Sequence, residues 1–189
     1  MSDGSATVLI IDDEPDLADL YAAWLGDTYE VVTAYGGEAG IEAMSEDIDV
    51  ALIDRLMPDL SGDEVLDRVR EDGYDTRVAM VTAVEPDFDI IEMGFDDYLV
   101  KPVRREGLHE AVERLLDRAT YDAQLREYYA LVSKRAALET QKSERELADS
   151  EAYADLVNEL ERLSDDIDAT TANFSAEDFE AELRKLDDN

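Results

Sequence analysis

The sequence contains no cysteine, which excludes disulfides and thiolate metal sites. No apolar run approaches the roughly 18 residues that a membrane-spanning helix needs. The opening Met1-Ser-Asp-Gly-Ser5 carries no basic residue and leads into no signal-type segment. Together these absences point to the cytoplasm. Basic charge is scarce too: 17 Lys and Arg face 50 Asp and Glu, for a net charge of −33. The lysines are Lys101, Lys134, Lys142 and Lys185. So acidic a surface repels itself and favours the compact state only where salt screens it. Disorder is the other way to carry such charge, but 45% hydrophobic residues in periodic runs argue against it. The composition is that of a salt-adapted protein, and duplex DNA is a poor default partner for it at low salt.

What is present is an alternation of short apolar runs and helical stripes. Val8–Ile11 ends at Asp12-Asp13. Pro15 then opens a helix carrying Leu17, Leu20, Tyr21, Trp24 and Leu25, which Gly26 closes. Tyr29–Ala34 reads as a second strand, Gly36-Gly37 as a break, and Ala39–Met44 as a helix. Asp49–Ile53 is the third strand and ends at Asp54. Pro58 and Gly62 turn the chain into a helix carrying Val65, Leu66 and Val69, which closes near Gly73. Arg77–Val81 is the fourth strand, ending at Thr82. Pro86–Met93 suggests a short helix. Asp97–Val100 is the fifth strand, ending at Lys101-Pro102, and Leu108, Val112, Leu115 and Ala119 mark the last helix. Five strand–helix units in strict alternation predict an α/β fold, a parallel sheet with helices on both faces. Right-handed crossovers put every strand's carboxyl end on one edge, where such sheets bind ligands.

That edge would gather Asp12, Asp13, Asp54, Thr82 and Lys101. Three close carboxylates repel, and a hard divalent cation such as Mg2+ relieves them. Lys101 and the Thr82 hydroxyl can hold phosphoryl oxygens. An ionised carboxylate needs no general base, so Asp54 is the candidate nucleophile toward phosphorus. The single histidine, His109, falls in the last helix, away from the edge, and reads as a packing or surface residue. A phosphoryl donor therefore comes from another molecule.

Asp12-Asp13, then Asp54-x-x-Met57-Pro58-x-x-x-Gly62, then Thr82-Ala83, then Tyr98-x-x-Lys101-Pro102 resemble the signature of response-regulator receiver domains across residues 7–119. The resemblance implies a flavodoxin-like five-stranded sheet in strand order 2-1-3-4-5. It implies phosphoryl transfer to Asp54 from a histidine kinase, with Mg2+ held by Asp13, Asp54 and the Leu56 carbonyl and with Asp12 acting mainly through water. It implies phosphoryl contacts from Thr82, Ala83 and Lys101, a Thr82–Tyr98 switch, and a cis peptide before Pro102. The switch surface would include Val84, Phe88, Ile90, Ile91, Met93 and Phe95, apolar enough to form a homodimer. The plainer alternatives are a helix-start acid cluster for Asp12-Asp13, an ordinary turn at Met57-Pro58 and a static Tyr98.

The chain therefore divides into a disordered 1–6, a receiver at 7–120 and an all-α region at 121–189. The last resembles, by context, length and helical pattern, the HalX domain attached to haloarchaeal receivers, with a role in transcriptional or signalling output. Leu125, Tyr128, Tyr129 and Val132 form one stripe; Leu156, Leu160, Leu163 and Ile167 form a packing seam. Lys142–Ser150 reads as polar and exposed, Thr170–Asn173 as a break, and Ser175–Asp178 as a helix start, giving three helical segments. Arg126, Lys134, Arg135, Lys142 and Arg145 make 126–145 the one basic stretch, five bases against three acids, and a candidate surface for DNA or a partner. Three functions compete: a phosphorylation-controlled transcriptional switch, an adaptor that never touches DNA, and an aspartyl-nucleophile phosphohydrolase. Leu56, two residues past Asp54, cannot activate water, which argues against the last.

Overall fold

The computed structural model describes residues 5–86 and 88–187; the side chains of 88–89 and 170–187 lie outside that description. The chain divides after Leu116 into two compact units.

The first unit is a five-stranded parallel sheet in the order β2-β1-β3-β4-β5. Its strands are β1 (Thr7–Ile11), β2 (Glu30–Ala34), β3 (Val50–Ile53), β4 (Arg77–Thr82) and β5 (Asp97–Val100). Helices α1 (Pro15–Leu25), α2 (Gly37–Ala43) and α3 (Gly62–Glu71) fall between the strands, and α4 (Arg105–Gln141) follows β5. The period-two rule sorts the central strands into two cores. Leu9, Ile11, Ala51, Ile53, Val78 and Met80 pack with Val65, Leu66 and Val69 of α3 on one face. Val8, Ile10, Val50, Leu52, Ala79 and Val81 pack on the other with Tyr21 and Leu25 of α1 and Leu108, Val112 and Leu115 of α4. Both faces are covered, so β1, β3 and β4 read as continuous apolar runs. Each fully buried Leu, Ile or Val contributes about 1.5–3 kcal/mol. Gly26, expected to close α1, does so in ordinary helical geometry (φ −66°) rather than as a left-handed cap.

Between β4 and β5 the expected helix is a single 3-10 stretch, Phe88–Glu92. A piece this short closes readily with the tighter i→i+3 bonds. The apolar surface expected here is also smaller. Ile91 is 75% exposed, but Met93 and Phe95 pack against the core, and the Phe88 side chain falls outside the described residues.

The second unit differs from the expectation in its segmentation. The sequence boundary at 120/121 and the observed one after Leu116 both fall inside α4, because nothing in Arg118-Ala-Thr-Tyr121 interrupts a helix. Within the stretch expected to be merely polar, α5 (Glu144–Ala148) forms behind a capping box in which Ser143 and Glu146 satisfy each other's backbone N–H. Helix α6 (Glu151–Asp187) then runs unbroken through Thr170–Asn173 and Ser175, where a break and a new start were expected. Thr, Ser and Asn cost a few tenths of a kcal/mol each inside a helix, less than a second nucleation. The expected disorder of residues 1–6 falls mainly on residues 1–4, which lie outside the description.

The distal half of α4 and the first half of α6 run antiparallel. Tyr128, Val132, Arg135 and Glu139 share a groove with Ser164, Leu160 and Val157, and the Tyr153 hydroxyl donates to Glu139 Oε1 at 2.7 Å. Partner numbers rise on one helix as they fall on the other, as in a hairpin. Of the expected seam, Leu160 and Leu163 are buried, the only buried side chains of this unit among the described residues. No described helix is long and apolar enough to cross a membrane.

Candidate functional site

Asp12, Asp54 and Lys101 are each the first residue beyond a strand, and each extends the parallel ladder by its own backbone N–H. Asp12 N–H donates to Ala34 O (3.1 Å), Asp54 N–H to Ile11 O (2.9 Å), and Lys101 N–H to Thr82 O (2.8 Å). The sheet thereby fixes these three side chains at one edge. Lys101 Nζ donates to Asp12 Oδ2 and to Asp54 Oδ2, both at 2.7 Å. The three side chains are nearly buried, at 11%, 3% and 8% exposure. The other oxygens are held by the backbone: Asp12 Oδ1 accepts from Glu14 N–H (2.9 Å) and Asp54 Oδ1 from Leu56 N–H (3.2 Å). The Lys101–Pro102 peptide is cis.

Carboxylate oxygens of Asp12, Asp13 and Asp54 lie within 4.8 Å of one another. One ammonium offsets three acids, so the donor set has an excess of two negative charges and consists of hard oxygens. That chemistry fits Mg2+ rather than a soft metal. Burial alone would lower the Lys101 pKa; its hydrogen bonds to Asp12 and Asp54 and their charges outweigh burial and hold it above the usual lysine value. Tyr21 of α1, 2% exposed, also feels the site. Burial raises its pKa, Lys101 pulls it down, and Asp12 and Asp54 push it up again. Nothing in the sequence distinguishes Tyr21 from the rest of the α1 stripe.

Thr82 is fully buried and its Oγ1 accepts from Val84 N–H at 3.4 Å; Ala83 is exposed. Tyr98 is half-buried, its ring 5.5 Å from that of Phe95, and its hydroxyl donates to Val84 O at 2.9 Å. Val84 thus links the Thr82 and Tyr98 hydroxyls through its own backbone. His109 lies elsewhere, its Nε2 2.8 Å from Trp24 O and its ring beside Tyr29.

The loop after Asp54 is clamped. Arg55 Nε and Nη2 grip Asp63 at 3.0 and 3.1 Å, an ion pair the sequence reading did not single out. Its signal is an arginine next to Asp54 and an acid next to Gly62. Gly62 is required for close approach rather than for its φ. A Cβ there would lie 2.1 Å from Asp54 O and 2.8 Å from Arg55 Cα. Gly62→Ala must therefore push α3 off the backbone of Asp54. We expect a loss of about 1–3 kcal/mol in urea unfolding, the usual cost of overpacking.

The five candidate basic residues do not make one face. At about 100° per residue, Arg126 and Arg135 point to opposite sides of α4. Arg135 pairs with Glu139 at 2.7 Å and Lys142 with Glu146 at 3.5 Å.

Comparison with known proteins covers nearly the whole chain. Residues 8–113 match the response regulator receiver domain family, and residues 117–183 match the HalX domain. A Haloferax volcanii protein named for a role in transcriptional regulation is 48% identical over 171 residues, covering 90% of this chain and 29% of that one. The transcriptional regulatory protein CiaR of Streptococcus pneumoniae is 35% identical over 116 residues, 59% of this chain and 52% of its own. The chain thus spans between about a third and a half of these relatives. The response regulator TrrA of Thermotoga maritima, solved in complex with Mg2+-BeF, superposes with a TM-score of 0.52 at 30% identity, covering 59% of this chain and 99% of its own.

Proposed function

The chain belongs to the response regulator receiver family and carries a HalX domain after the receiver, and from that premise we propose that Asp54 accepts a phosphoryl group from a histidine kinase in the cytoplasm and that the α-helical unit carries the output into transcription. The observation that carries this reading is the pair of 2.7 Å bonds from Lys101 to Asp12 and Asp54 at one sheet edge.

In the proposed reaction an Asp54 carboxylate oxygen bonds to phosphorus as the P–N bond of the donor phosphoimidazole breaks, its electron pair leaving on nitrogen. Asp13, Asp54 and the Leu56 carbonyl would hold Mg2+, with Asp12 beside it through water. Bound there, the cation would neutralise charge on the phosphoryl oxygens. Lys101 exchanges a carboxylate for a phosphoryl oxygen, and Thr82 and the Ala83 backbone reach two others. Recruiting the Thr82 hydroxyl would free Val84 N–H, and because the carbonyl of the same residue accepts from Tyr98, a shift of Val84 would release Tyr98 as well, which supports a switch. The neighbour's Mg2+-BeF complex supports the same chemistry. The test is Mg2+-dependent labelling by acetyl phosphate, with label confined to Asp54.

Leu56 is 64% exposed and offers nothing to orient an attacking water. The phosphoryl group is therefore expected to be long-lived. Leu56→Asn, which supplies a donor and acceptor, should shorten its half-life, measured by label decay; an unchanged half-life overturns that expectation. The same residue speaks against the phosphohydrolase reading. The ion pairing of Arg135 and Lys142 favours a second reading, an output through protein contacts alone. Salt-dependent retention of duplex DNA that weakens in Lys134→Ala/Arg135→Ala decides between the two.

A further inference from the structure

We infer that the α-helical unit is a dimerisation module, in which two copies of the α4–α6 hairpin pack about a two-fold axis through the groove around Leu138. Among the described residues the hairpin buries little: Leu160 and Leu163 are its buried side chains, whereas Val132 and Leu138 stay 37% exposed. Two helices cannot enclose both sides of their own seam, and four can. One side of this hairpin is an open groove of about 710 Å³. Its floor is Ala137, Leu138, Leu147, Ala152 and Leu156, to which α5 contributes Leu147 as a wedge.

The charges around that floor select the occupant. The α4 rim carries Lys134 and Lys142. Lys134 has no ion-pair partner among the described residues, and Lys142 reaches Glu146 at only 3.5 Å. The α6 rim carries Glu151 and Asp155 one helical turn apart beside Ala152, while Glu159 on the next turn is paired with Arg162. One basic rim and one acidic rim flanking an apolar floor make a surface complementary to itself. A two-fold axis lays the α4 rim of each copy on the α6 rim of the other and joins the two floors, as an isologous interface requires. An unrelated acidic helix would satisfy the lysines but would set its charge against Glu151 and Asp155.

Sedimentation of the full chain in about 0.15 M salt, where charges within about 8 Å still interact, tests this. Wild type should sediment as a dimer. Leu138→Asp, at a position exposed enough to keep the hairpin folded by circular dichroism, should raise the dissociation constant at least about tenfold. Lys134→Glu/Lys142→Glu and Glu151→Lys/Asp155→Lys should each be monomeric alone, and an equimolar mixture should recover the dimer, because both rims then pair with opposite charge. A monomeric wild type, a Leu138→Asp chain as dimeric as wild type, or a mixture that stays monomeric overturns the inference.

Discussion

Asp54→Asn should take up no phosphoryl group from acetyl phosphate with Mg2+, whereas wild type should be labelled. The substitution keeps the volume of the side chain and an oxygen for Leu56 N–H, which donates to Asp54 Oδ1 at 3.2 Å. What it removes is the anionic nucleophile, so the expected loss is complete rather than graded. Asp12 is held much as Asp54 is, by Glu14 N–H and by Lys101 Nζ, so the variant also checks whether Asp12 can take the label in its place. The same variant separates chemistry from stability. Three carboxylates within 4.8 Å repel one another, so removing one charge should leave the Mg2+-free fold as stable as wild type or more so. Added Mg2+ should then stabilise wild type, by about 2.7 kcal/mol at a hundredfold excess over its Kd, and the variant by less. Wild-type labelling of Asp54→Asn would move the acceptor to another acid.

Lys101→Met has the largest expected effect on stability. The ammonium bridges two nearly buried carboxylates, and methionine fills similar space without charge. Removing one partner of a buried ionic group costs about 3–5 kcal/mol, because the acids left behind have no counter-charge. Urea unfolding without Mg2+ at neutral pH should show that loss, and Mg2+ should restore part of it. The pH dependence has a defined sign. Because the folded-state pKa of Lys101 lies above the ordinary lysine value, its contribution is fully present below that value and is lost as pH rises through the folded one. Wild type should therefore lose stability in an alkaline window starting near 10.5, a phase that Lys101→Met lacks. A stability within about 1 kcal/mol of wild type would mean that the bridge adds little beyond offsetting its own desolvation.

The receiver was legible because its signals are redundant. Val50–Ile53 can only be a doubly covered strand, and the acid that ends it can only stand at the sheet edge. Asp12, Thr82 and Lys101 follow by the same logic, each at the end of its own apolar run. The α-helical unit was less legible, and its residues say why. Ser143-x-x-Glu146 and Ser175-x-x-Asp178 look alike in sequence, yet the first caps α5 and the second lies within α6. The difference is context: α5 follows the end of α4 at Gln141, whereas α6 is already propagating when it reaches Ser175. Basic residues adjacent in sequence, such as Lys134 and Arg135, part company on a helix by about 100°. Tyr21 and Arg55 were invisible as site residues because their roles depend on distances that no spacing encodes.

The ladder bonds at Asp12, Asp54 and Lys101 carry one more consequence. Each functional group is indexed to the last rung of its strand, so strand length, rather than loop length, is what this architecture cannot vary. One residue inserted into β3 would turn the carboxylate from the rim toward a packed face, since neighbours on a strand alternate sides. An insertion at the opposite end of the sheet, as in 72–75, would leave Asp12, Asp54 and Lys101 where they stand. Such a protein can diversify its connections freely while its chemistry stays in register.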